Sequence, residues 1–163
     1  MAGFLPTLFE RLFDDAPHRE AEADPLRRWS VDELKDSVIR DLESLLNNRA
    51  ALSADHFVRF PESHRSVASY GMEDFVGLSL ANPGDRELIC NTLARTIEHH
   101  EPRLRDVVVH LEADRSSIGC LQFGISAVLY VAPANEPVSF DALLQPNTQQ
   151  YSIARSRLHP ANR

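Results

Sequence analysis

Cysteine is scarce in this sequence: two in 163 residues, at positions 90 and 120. They form no C-x-x-C pair and no zinc-ligand spacing, which excludes a zinc ribbon and a disulfide-built scaffold. Both read as small buried apolar residues of a reducing compartment. Long apolar runs are missing too. None approaches the ~20 residues of a membrane-spanning helix. The first residues, MAGFLPTLFERLFDDAP, lack a basic stretch ahead of the apolar ones, so they do not read as a secretory signal. The expected location is cytoplasmic. Basic residues are the minority charge, 17 against 24 acidic, for a net −7. That balance disfavours nonspecific nucleic-acid binding, which needs a basic face to neutralise phosphates. There is no G-x-S-x-G elbow, no phosphate-cradling glycine loop and no H-E-x-x-H pair.

What remains is an ordinary globular composition, 43% apolar and 25% charged, at a length that suits one domain. Phe4, Leu5, Leu8, Phe9, Leu12 and Phe13 recur at helical spacing and predict a short N-terminal amphipathic helix. Asp14 to Pro25 is acidic, carries two prolines and reads as a linker. The isolated apolar helix either folds back on its own domain or docks in a partner's groove.

The next helix is predicted over residues 30–47. Ser30 and Glu33 make a capping box. Val31, Leu34, Val38, Leu42, Leu45 and Leu46 form its apolar stripe, and Asn47 and Asn48 suit its end. Residues 49–76 lack periodicity and read as a long connection with one short strand or turn. Pro83 and Gly84 open a second helix with Asp85 as N-cap or first-turn acid. Its predicted buried stripe is Leu88, Ile89, Leu93 and Ile97, and Pro102 ends it. The apolar period then falls from about 3.6 to 2. Val107, Val109, Leu111 and Ala113 face one way, and Asp106, Val108, His110 and Glu112 the other. A second run carries Leu121, Phe123, Ile125, Ala127, Leu129 and Val131 on one face. The two make an antiparallel pair. Gly124 marks a bulge or a close backbone contact, and Val138 to Leu144 is one more strand or a short helix. The fold class is α+β: two main helices on a small, mainly antiparallel sheet, plus the short N-terminal helix. The expected organisation is a docking segment and linker over 1–25, a domain over 26–145 and a flexible tail over 146–163.

Chemistry concentrates in one stretch, IEHHEPRLRD. His99 and His100 are adjacent, so on a helix they point about 100° apart and do not readily share an ion. They suit the helix C-terminus as dipole partners. Neither a metal nor an organic cofactor is expected. Glu101 could serve as a general acid in glycoside hydrolysis, given a second carboxylate ~5–9 Å from it, for which Glu73, Asp74 and Glu112 are the candidates. The more economical reading is structural. Pro102 fixes the angle at which the helix leaves, and Glu101 and Arg103 hold opposite charges at that corner. The pair then orders the corner internally or faces a partner. A stand-alone regulatory module that binds through its helix stripe is a further alternative.

The stretches GFLPTLFERL, LKDSVIRDLESLLNNR, YGMEDF, EHHEPRLRDVVVHLEAD and LQFGISAVLY, in this order from about Gly3 to Leu144, resemble the TssE family of type VI secretion baseplate subunits, within the phage baseplate-wedge group often labelled lysozyme-like. The resemblance implies a non-enzymatic structural subunit that helps start the contractile sheath by strand pairing. Implied partners are wedge subunits of the TssF, TssG and TssK class and sheath subunits. The family's glutamate-proline-arginine motif maps onto Glu101, Pro102 and Arg103, which it implies are needed for assembly. Phe4, Leu5, Leu8, Phe9 and Leu12 then become a docking face for a wedge partner. The rival reading remains a lysozyme-like peptidoglycan glycosidase using Glu101.

Overall fold

A computed structural model describes residues 4, 12, 18, 28–52, 54–75, 77–79, 82–112, 121–131, 134–145, 148 and 150–156. The chain divides into two compact units, Met1–Val38 and Ile39–Arg163. The division falls inside helix α1, Val31–Asn47.

In the first unit the capping box forms as expected. Ser30 N donates to Glu33 Oε2 at 2.9 Å, and Glu33 N to Ser30 Oγ at 3.2 Å, so two orphan amides are satisfied reciprocally. Leu34, Ser37 and Val38 are buried. Phe4 departs from the predicted helix. It makes an antiparallel bridge with Trp29, with backbone N···O distances of 2.9 and 2.7 Å. Leu12 is helical and 70% exposed. Leu5, Leu8 and Phe9 lie outside the described residues.

The second unit starts with the rest of α1, where Leu42, Leu45 and Leu46 are buried. Asn48 ends the helix, donating its side-chain amide to the Ser44 carbonyl at 2.8 Å. Residues 49–76 were expected to hold a strand or turn, and instead carry helix α2, Ala54–Arg59, and two 3-10 turns, Pro61–Arg65 and Val67–Ser69. The serines explain the difference. Ser63, Ser66 and Ser69 bond back to carbonyls of Phe60, Ser63 and Ser66, which favours tight turns over extended chain. Among the described residues of the segment, Arg49 and Met72 form a single parallel bridge.

Helix α3 runs Pro83–His100. Its N-cap is Asn82, which accepts from Gly84 N. Asp85, read from sequence as N-cap or first-turn acid, is the first-turn acid, and it accepts from Ser79 N at 2.8 Å. Ile89, Leu93 and Ile97 are buried, but Leu88, placed in the stripe from sequence, is 51% exposed. It precedes Ile89 by one residue, about 100° around the helix.

The sheet is a four-stranded antiparallel meander, β1 Leu104–Leu111, β2 Leu121–Val131, β3 Ala134–Gln145 and β4 Gln150–Arg155, in that spatial order. The fold is α+β, as expected. Strand β3 resolves the choice left open over Val138 to Leu144. Strand β4 corrects the sequence reading, which had placed 150–155 in a flexible tail. Tyr151 and Ile153 alternate with polar residues and are buried, a period-2 signal that the polar flanks hide. On β1 the register shifts between Arg105 and Val108, with Asp106 at φ 53°. This bulge lets Leu104 and Val107 both face the core. The core joins them to Phe123, Ile125, Ala127, Leu129, Val138, Phe140 and Ala142. Helix α3 packs on β1.

Candidate functional site

The corner between α3 and β1 forms from the last turn onward. Glu101 N donates to Ile97 O at 2.8 Å, closing the helix. Pro102 follows and stops it. Leu104 N returns to Glu101 O at 3.0 Å, and Tyr130 N donates to Arg103 O at 2.7 Å. Both backbone bonds fix the turn before the strand begins.

The side chains reinforce it. Glu101 is buried, at 5% exposure. Arg103 donates to it twice, Nε to Oε1 at 2.6 Å and Nη2 to Oε2 at 2.5 Å, and its backbone N reaches Oε1 at 3.2 Å. This is the bidentate fork that arginine makes with carboxylates. The same Nη2 also pairs with Asp41 of α1. Burial works against the Arg103 cation. Hydrogen bonding and charge from Glu101, then from Asp41, outweigh it and push Arg103 above its ordinary range. Tyr70 lies in the same field: burial, then the charges of Asp41 and Glu101, raise its phenol. The arrangement ties one helix, one helix end and one strand start together. The Glu101 oxygens are occupied by Arg103.

Of the acids considered as a catalytic partner, Asp74 pairs with Arg49 at 3.5 Å and Glu112 lies 3.7 Å from His110. The adjacent histidines turn toward the 3-10 segment. His99 Nε2 donates to His64 O at 2.7 Å and His100 Nε2 to Ser69 O at 2.9 Å. Among the described residues no group of three or more His, Cys, Asp or Glu is arranged to hold a metal ion.

Asp41, Glu43, Asn47 and Glu98 were not singled out from sequence as site residues. Asp41 had one signal: it stands three residues after Val38 and four before Leu45, on the flank of the buried stripe. Glu43 and Asn47 meet the outer edge of β4. Asn47 accepts from Tyr151 N at 2.8 Å and donates to Tyr151 O at 2.9 Å, while Glu43 accepts from Ile153 N at 3.0 Å. Four helical residues rise ~6 Å and two strand residues ~6.6 Å, so the two spacings nearly match. At the other edge Glu98 accepts from Val107 N at 3.0 Å. The two edges of the sheet are therefore partly capped, by side chains.

Taken together, the described residues form a small edge-guarded meander with a charge-locked corner. The family model of baseplate wedge protein gp25 matches residues 32–134. The chain belongs to that family and is a structural baseplate subunit. Among solved structures, one titled "The baseplate complex from the type VI secretion system" aligns with 77% of this chain and 97% of its own, at 16% identity and a TM-score of 0.46. No curated protein matches the chain.

Proposed function

We propose that this chain is a cytoplasmic subunit of a type VI secretion baseplate wedge and helps start the contractile sheath by strand pairing. Its partners would be wedge subunits of the TssF, TssG and TssK class and sheath subunits. Family membership carries the reading. The sheet edges support it physically. Their caps are the side chains of Glu98, Glu43 and Asn47, so an incoming strand competes with a few side-chain bonds and offers a continuous ladder in return. Glu101, Pro102 and Arg103 act by holding the corner in one shape for a partner to read. Phe4, Leu5, Leu8, Phe9 and Leu12 are the proposed docking face for a wedge subunit, and the exposure of Leu12 is consistent with this. Among the described residues no helix is long and apolar enough to cross a membrane.

The test is co-purification with wedge and sheath subunits, comparing wild type with Arg103→Lys. Wild type should be retained and the variant weakened, because lysine cannot make the fork. Wild type that ignores all of these subunits overturns the proposal. The glycosidase reading predicts cell-wall hydrolysis by wild type and its loss in Glu101→Gln. The proposal predicts no hydrolysis by either.

A further inference from the structure

The segment from α2 through the two 3-10 turns is held in an unusual way. Its large apolar side chains Val58, Phe60 and Val67 are exposed. The Pro61–Arg65 turn buries nothing, and in Val67–Ser69 only Ser69 is buried. Hydrophobic burial is therefore a poor account of its placement. Imidazoles contact it instead. His99 and His100 project from the last turn of α3 with ring centroids 4.6 Å apart and planes at 89°. Each donates Nε2–H to a carbonyl of the segment, His64 O and Ser69 O. The His64 ring lies 4.6 Å from that of His99, the Phe57 ring sits edge-on to His64 at 5.1 Å, and Tyr70 sits edge-on to His100 at 5.4 Å.

We propose that residues 54–69 form an arm latched to the end of α3 through His99 and His100, and that protonation of His100 releases it. A partly buried imidazole tolerates neutrality well and a positive charge badly. His64 and Tyr70 face His100 from the segment, and His99 from its own helix. The nearby carboxylates Asp41 and Glu101 are engaged by Arg103. The bond to Ser69 and the helix C-terminus both favour a charged ring. Burial exceeds them, with the charges of His99 and His64 adding to it, and His100 sits below its ordinary 6.5. A base whose latched form is depressed binds its proton more tightly when released. The latch is thus complete above pH 6.5 and is lost as pH falls below 6.5 toward the lower latched value. Release would free a segment that already displays Val58, Phe60 and Val67.

Amide hydrogen exchange on the full chain tests this, read by mass spectrometry between about pH 7.5 and about pH 5 and corrected for intrinsic rates. Peptides over residues 55–70 should lose protection by at least about tenfold on acidification, while those over β2 and β3 keep theirs. The double variant His99→Gln, His100→Gln carries an N–H donor near each Nε2 position but cannot take a proton, so its arm should stay protected. Unchanged protection of the arm in wild type overturns the proposal. So does an equal loss across the sheet, or an equal loss in the glutamine variant. Should that variant fail to fold, NMR titration of the wild-type imidazoles decides. The release midpoint must track His100, and a midpoint in the carboxylate range sinks the latch.

Discussion

Arg103 and Glu101, two residues apart across Pro102, form a bidentate ion pair whose carboxylate is buried and whose guanidinium also reaches Asp41. The three members are not equivalent. Asp41 is 54% exposed as a side chain, Arg103 18% and Glu101 6%. Removing Arg103 leaves a buried carboxylate without its cation. Arg103→Ala should therefore cost ~3–5 kcal/mol of unfolding free energy. Asp41→Asn, losing only an exposed contact, should cost no more than about 1 kcal/mol. Urea denaturation of both variants checks the ranking, and equal costs would show that Asp41 is an equal partner in the lock.

Assembly should depend on the corner beyond its contribution to stability. Arg103→Lys keeps the charge but loses the fork, so it should remain folded while binding wedge subunits more weakly. Pull-down measured well below the variant's melting temperature separates the two effects. Binding that falls only in proportion to the unfolded fraction would assign the motif to stability alone.

The β4 edge gives a prediction of a different kind. Asn47 satisfies both backbone groups of Tyr151. Asn47→Ala unmakes two hydrogen bonds at a partly buried edge, costing about 1–3 kcal/mol. It also bares a strand edge, so self-association should rise with concentration. Glu43→Gln keeps an acceptor for Ile153 N and should do neither. Light scattering across a concentration series reads the second effect. A strictly monomeric Asn47→Ala would show that the edge is protected by something else.

The main helices and the first strand pair were legible because their signals are local and periodic. The capping box at Ser30 and the stripe through Leu46 need no tertiary knowledge. The change of period after Pro102 announces β1. The Glu101–Arg103 pair was legible as a corner because proline separates two opposite charges. Asp41 was not, because its partner lies 62 positions away. Strand β4 was missed because only Tyr151 and Ile153 carry its inward face, flanked by glutamine, serine and arginine. The 3-10 turns were missed because serine back-bonding leaves no hydrophobic period. Gly124 was read as a bulge or a close backbone contact, but what approaches it is a side chain. A Cβ there would stand 2.4 Å from the His110 ring.

Gly71 is less forgiving than Gly124. It has φ 117°, and a Cβ would lie 2.8–2.9 Å from backbone atoms of Asn48, Arg49 and Ala50. Those atoms belong to the bridge that pairs Arg49 with Met72. Gly71→Ala should cost at least about 2 kcal/mol from strain and the forced separation of the two chains. Gly124→Ala only displaces the end of an exposed histidine side chain and should cost less. Thermal unfolding of the two variants side by side gives the comparison, and the reverse order would contradict the close packing at Gly71.

Alkaline pH should weaken the fold through Tyr151. Burial pushes its phenol from 10.0 to about 12. Between those values the unfolded chain has lost the proton that the folded chain still holds. Fewer protons on the unfolded state means that stability falls as pH rises. The loss should begin near pH 10 and reach at most about 3 kcal/mol by pH 12, from ~1.4 kcal/mol per unit. Tyr70, raised in the same direction, adds to the slope. Tyr151→Phe should leave stability near neutrality almost unchanged and flatten most of the alkaline decline. Denaturant unfolding at several pH values checks the slope, and tyrosinate absorbance of the native chain checks its origin. A wild-type chain with three tyrosines that all ionise together near pH 10 would show that Tyr151 is accessible to water, and β4 would then not hold the buried place assigned to it.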